Sequence, residues 1–172
     1  SRRDAVKLGL ALVPFAGIAF LWFVGVVRDR VGDAEDRFFA TAFLGSGLLF
    51  VGMLFVASAV AGGLIVAAER NADTILASGA WELGRETTYE LMVVYATRMA
   101  AVFTLAISTI LLRTRLAPRW LVASGYAIAV VLLLTAGSFA WVELLFPAWV
   151  MALSLHVLVT SFRSRAEGVD TA

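Results

Sequence analysis

Long apolar runs separated by short charged segments fill this chain, and their length decides what they form. About 20 apolar residues cross a bilayer core of ~30 Å as a helix, and in hydrocarbon every backbone amide of such a span must be bonded within it. That ruler predicts five spans, at 8–27, 38–68, 91–112, 120–137 and 143–162. In the first, Pro14 removes one amide bond and bends or loosens the helix locally. The second holds no charged residue across 31 positions. It is longer than a bilayer requires, so it tilts or projects beyond the core. A break near Gly62-Gly63 or a short hairpin are the other readings; a hairpin leaves each arm too short to cross, which favours one helix.

The longest polar connection is 69–90, where Trp81, Leu83, Tyr89 and Leu91 alternate with Glu82, Arg85, Glu86 and Glu90. This is the pattern of an interfacial amphipathic turn that continues into the third span. Only 138–142 separates the last two runs, so they form a tight antiparallel hairpin, and Pro147 falls in the first turn of the last helix, where proline is tolerated. The predicted architecture is all-α: an integral membrane bundle of five transmembrane helices in a single domain, 1–163, followed by a disordered tail, 164–172.

Composition agrees with this reading. Hydrophobic residues make up 61% and charged residues 16%, against about 25% charged in a soluble domain, and the mean hydropathy is +0.90. The net charge of +1 comes from 14 basic and 13 acidic residues scattered in small clusters. With no basic face among them, nucleic acid is excluded as a partner. The chain has no cysteine, so disulfides, thiolate metal sites and cysteine nucleophiles drop out together. The first run lacks a small-residue cleavage site and leads into a second long apolar run, which marks it as a retained span. Five spans place Arg2, Arg3, Lys7, Arg70 and Arg85 on one side, and Arg28, Arg30, Arg37, Arg113, Arg115, Arg119, Arg163 and Arg165 on the other. The positive-inside rule then favours a cytoplasmic carboxyl terminus in a multi-pass plasma-membrane protein.

Few residues offer chemistry. Arg98 lies within the third apolar run, about 22 Å along the helix from Arg113 at 1.5 Å per residue. A cation at such depth marks a partnered or functional site, or snorkels to the nearer interface. Glu143, opening the fifth span on the same side, and Glu90, eight residues before Arg98, are its candidate partners. Such a pair either lines a polar pocket walled by Tyr89, Tyr95 and Trp141 or serves as glue between helices. His156 is the only histidine. With no second ligand for haem or metal, it is either a histidine bonded to a neighbouring carbonyl, Ser154, Thr160 or Ser161, or part of a proton relay. Thus Glu90, Arg98, Glu143 and His156 are the ligand or ion-path candidates, and no metal or other cofactor is implied.

The loop from Arg28 to Arg37 alternates opposite charges around Gly32, as a self-satisfied solvated loop does, the alternative being a ligand or partner site at the cytoplasmic surface; its acidic residues Asp33, Glu35 and Asp36 suit the start of the next helix through its dipole. Ser58 with Gly62 and Ala59 with Gly63 have the small-xxx-small spacing of close helix packing. Trp81, Trp120 and Trp141 fall near span ends, as an aromatic belt requires. Nucleophile elbows, Walker loops, zinc-protease helices and dinucleotide fingerprints are all missing.

The run Phe20-Leu21-Trp22-Phe23-Val24-Gly25-Val26-Val27-Arg28-Asp29-Arg30, together with Glu35-Asp36-Arg37-Phe38-Phe39-Ala40-Thr41, Leu44-Gly45-Ser46-Gly47 and Leu145-Phe146-Pro147-Ala148-Trp149, resembles a group of small multipass membrane proteins of actinobacterial type. The resemblance implies a five-helix membrane protein and brings no activity or site residues with it. The expectation is therefore a non-enzymatic membrane module that packs with lipid and with further copies of itself or a larger complex. The alternatives are a channel or transporter for a small solute or proton, and a protein that binds lipid or another hydrophobic ligand.

Overall fold

The computed structural model describes residues 2–31, 37–137 and 141–169. Among these residues all regular structure is helical: α1 (Arg2–Val31), α2 (Arg37–Arg70), α3 (Ala72–Ala77), α4 (Ala80–Tyr89), α5 (Thr97–Thr114), α6 (Arg119–Thr135) and α7 (Leu145–Val169). A π-helical segment, Glu90–Ala96, fuses α4 to α5, and a 3₁₀ turn, Val142–Leu144, leads into α7. Four helical stretches are long and apolar enough to cross a membrane: Asp4–Arg30, Phe38–Arg70, Ala80–Thr114 and Val142–Ser161. A shorter apolar helix, Arg119–Thr135, has 17 residues. The acidic residues of the first loop, Asp33, Glu35 and Asp36, lie outside the described residues.

α2 passes Gly62-Gly63 without interruption over 34 residues. In apolar surroundings an unbroken helix is the only way to keep these amides bonded. At 1.5 Å per residue it is about 51 Å long, well beyond a bilayer core. The polar connection after it folds into two short helices. The side chain of Asn71 caps α3 by accepting from the Thr74 amide at 3.2 Å, and Gly79, at φ 70°, makes the left-handed turn that lets α4 start. Gly84 then allows α4 to lie on α2, since a Cβ there would come within 2.5 Å of the Leu64 side chain. Arg115 in the left-handed region and Pro118 in extended geometry end α5 and reverse the chain into α6. α7 continues through Val169, past Phe162, where the apolar run stops.

The core is an aromatic cluster drawn from four helices. Phe103 of α5, fully buried, stacks on Phe43 of α2 with centroids 4.8 Å apart. Phe20 of α1 meets it at 5.0 Å and Phe146 of α7 at 5.9 Å. Gly47 of α2 lies against it, a Cβ there approaching the ring to 3.2 Å. Polar contacts tie the helix ends at both edges of the bundle. Lys7 pairs with Glu69 at 2.6 Å at one edge. At the other, Arg30 donates to Ser161 and Thr160, and the Arg113 guanidinium sits 4.7 Å from the centre of the Phe39 ring.

α6 is held to α5 and α7 by a second close contact. The indole of the buried Trp149 donates to the Leu121 carbonyl at 3.1 Å, across Gly125, where a Cβ would collide with Ser108 Oγ and with the Trp149 ring at 2.7 Å. Tyr126 and Thr109 share a hydroxyl hydrogen bond at 2.8 Å beside it. Ser108 Oγ is buried there with no hydrogen-bond partner. Two stability changes of opposite sign are expected. Gly125→Ala overpacks the crossing and lowers stability by about 1–3 kcal/mol, whereas Ser108→Ala removes an unsatisfied hydroxyl and raises it by about 1 kcal/mol. Thermal melts of the purified protein in detergent check both, and Ser108→Ala placed on Gly125→Ala is expected to recover part of the loss.

Candidate functional site

Small side chains leave a space where large ones would have closed the bundle. Ala16 and Gly17 on α1 face Ala96 and Ala100 at the start of α5, and between them lies a cavity of about 600 Å³. Phe20, Phe50 and Phe146 wall it and are held in place by the same ring contacts that build the core, at 5.4 Å for Phe20–Phe50 and 5.0 Å for Phe50–Phe146. Close approach of α1 and α2 fixes one side: a Cβ on Gly17 would strike the Phe55 ring and approach Val51 to 3.1 Å. α7 supplies the opposite side through Val150, Met151 and Ser154.

The lining carries one charged side chain, Glu143. It stands on the 3₁₀ turn that opens into α7, half-buried. Two hydroxyls accompany it. Thr97 already donates to the Met92 carbonyl at 3.3 Å, a five-residue reach that fits the π-helical segment. Ser154 lies eleven residues along from Glu143, three turns on the same helix face and about 16 Å away.

The other residues singled out from sequence stand apart from this cavity. Arg98 is exposed and donates to the Val94 carbonyl at 3.0 Å, one turn toward the amino-terminal end. The Thr97 amide donates to the same carbonyl, so Arg98 adds a second donor there. Among the described residues it forms an ion pair with neither Glu90 nor Glu143. Glu90 is exposed. Tyr89 donates to the Gly137 carbonyl at 3.3 Å and so ties the π-helical segment to the turn after α6. Tyr95 and Trp141 are exposed, Trp141 at 81%, and neither lines the cavity. His156 is half-buried on α7; its backbone carbonyl accepts from Thr160 at 2.9 Å. Among the described residues no three of His, Asp and Glu gather as metal ligands do.

Of the seven residues singled out, then, only Glu143 faces the space. Alanine and glycine positions make that space, and nothing in an all-apolar run distinguishes a small residue that opens a cavity from one that permits close packing. No family model, curated protein or solved structure matches the chain.

The separation of Arg98 from Glu143 has an energetic consequence. In a double-mutant cycle with Arg98→Gln and Glu143→Gln, the two stability changes are expected to add within about 0.5 kcal/mol. A coupling of more than about 1 kcal/mol in thermal melts would establish a direct pair between them.

Proposed function

We propose that the chain is a five-span, non-enzymatic membrane module that assembles with a second copy of itself through the outer face of α2. The observation that carries this reading is a repeat along that helix: Gly45, Leu49, Gly52, Val56, Ala59, Gly63 and Val66 follow one another at alternating spacings of four and three. Such spacing keeps one face toward a partner helix crossing at a shallow angle. Leu49, Gly52, Val56, Ala59, Gly63 and Val66 are all exposed, and a Cβ on Gly45, Gly52 or Gly63 would meet nothing within 4 Å. Small residues at such positions let two backbones approach closely in lipid, where helix association relies on packing.

Five spans follow if α6 crosses as well. Its 17 residues extend about 26 Å, at the short end of what a bilayer requires. The basic residues then divide five to eight, favouring a cytoplasmic carboxyl terminus in the plasma membrane. A channel or carrier reading draws less support, because Glu90, Arg98 and His156 do not converge on the cavity that Glu143 lines.

Two measurements test the proposal. The chain lacks cysteine, so single substitutions report sidedness cleanly. Ser78→Cys and Trp141→Cys are expected to react with an impermeant thiol reagent from one face of the membrane and Ala117→Cys from the other; labelling of Trp141→Cys from the same face as Ala117→Cys would rule out the crossing of α6. Mass measurement in mild detergent is expected to give a dimer for the wild type and a monomer for Gly52→Leu, whose new side chain points into open space in the single chain. A wild-type monomer, or a Gly52→Leu dimer, would sink the α2 interface.

A further inference from the structure

We infer that the cavity between α1, α2, α5 and α7 is a binding site for a single-chain amphiphile with an amine head, drawn from the surrounding bilayer. Its ammonium sits on the Glu143 carboxylate, and its chain runs along α7 toward Ser154. The volume, about 600 Å³, falls within the range of ligand pockets, roughly 300–1,000 Å³, and the lining has their usual character, apolar with a few placed polar groups. Entry from lipid is open, since Ala16, Met92 and Met151 line the cavity and are themselves exposed.

Charge selects the head. Among the described residues Glu143 is the only charged side chain on the lining, and no Arg, Lys or His among them forms a salt bridge with it. The cation that sequence would assign to it, Arg98, is engaged with the Val94 carbonyl. A carboxylate half-buried among apolar side chains loses part of its solvation, and a charge-assisted hydrogen bond from an ammonium offsets this as a neutral head does not. A carboxylate or phosphate head meets repulsion with nothing to offset it. The aromatic walls add to the preference, because the faces of rings such as Phe20 and Phe146 attract a nearby cation. Beyond the head the described lining offers apolar side chains, the Thr97 hydroxyl, already committed to the Met92 carbonyl, and Ser154 about three helical turns away, which suits a chain of one tail and no second charge.

The site lies on the side of α2 that carries Phe50, Val51 and Leu54, so it does not depend on the α2 interface proposed above. The test is calorimetric titration of the full chain in a neutral maltoside detergent with oleylamine, oleyl alcohol and oleic acid. The wild type is expected to bind one oleylamine per chain at least about tenfold more tightly than oleyl alcohol, with oleic acid weakest; a charge-assisted hydrogen bond accounts for a preference of that size. Glu143→Gln, isosteric and on an end turn, is expected to abolish the preference for amine while leaving oleyl alcohol binding unchanged. Ala16→Trp, which fills the cavity from an exposed position, is expected to weaken both. Micelle partitioning of each ligand is common to all variants and cancels between them, and its partition coefficient in protein-free micelles corrects the comparison between ligands. Equal affinity of the wild type for amine and alcohol, an amine preference retained in Glu143→Gln, or unaltered binding in Ala16→Trp would each overturn the assignment.

Discussion

The packing of Phe103 against rings from three other helices is the constraint around which the molecule is organised. In lipid, the setting that four long apolar helices suggest, the hydrophobic effect would give no preference for helix against helix over helix against tail, and association would rest on shape. Offset and edge-on ring contacts supply both shape and a directional attraction worth about 0.5–1.5 kcal/mol per pair. Phe103 can be fully buried only because Gly47 gives it room on α2, and once it is seated Phe20, Phe43 and Phe146 have defined positions around it. α5 thereby becomes the element every long helix leans on. The cavity is a by-product of the same arrangement. Phe20, Phe50 and Phe146 reach toward one another at one level of the bundle, and the alanines and glycine flanking them cannot fill the level beside it.

Polar contacts have a different distribution and a different task. Those that join distant elements lie mainly toward the helix ends: Lys7 with Glu69, Arg30 with Thr160 and Ser161, Tyr89 with Gly137. They fix which ends meet, and surface pairs of this kind add at most about 1 kcal/mol each. Within the apolar level, hydroxyls mostly turn back on their own helices, as Thr104 does to the Ala100 carbonyl at 2.7 Å and Ser46 to the Ala42 carbonyl at 2.5 Å. Arg98 follows the same rule with a charged group. It donates to the Val94 carbonyl, one turn toward the amino-terminal end of its own helix, the direction in which a snorkelling cation extends.

Helix content and the rough position of each apolar run were legible because the bilayer ruler needs only length and composition. The single long helix through Gly62-Gly63 followed from the same reasoning, whereas 69–90, read as a polar connection with an amphipathic turn, folds into two short helices. Interior geometry was not legible, for an identifiable reason. Helical periodicity marks a buried face only where the opposite face is polar, and in runs such as 38–68 both faces are apolar. Phe43, Phe50 and Phe55 look equivalent in sequence, yet Phe43 is buried in the core, Phe50 walls the cavity and Phe55 is exposed. The π-helical segment was invisible as well, since Glu-Leu-Met-Val-Val-Tyr-Ala has no residue that forbids an ordinary helix. Charged residues drew attention as candidate sites because they are rare in such a chain, but rarity does not say whether a side chain points inward. Glu143 lines the cavity; Arg98 bonds its own backbone.

The two faces of α2 keep the proposed assembly and the proposed ligand site apart. Its 3.6-residue turn places Phe50, Val51 and Leu54 toward α1 and the cavity, while Gly52, Val56 and Ala59 lie on the opposite face. A partner helix seated along Gly45, Gly52 and Ala59 therefore approaches the backbone from outside and leaves the cavity mouth, at Ala16, Met92 and Met151, open to lipid. The two faces still share one rigid element. With both proposals in force, a ligand that pushed Val51 or Leu54 outward would move the backbone carrying Gly52, and a seam packed by glycine would register a shift of a few tenths of an ångström directly, because no flexible side chain intervenes to absorb it.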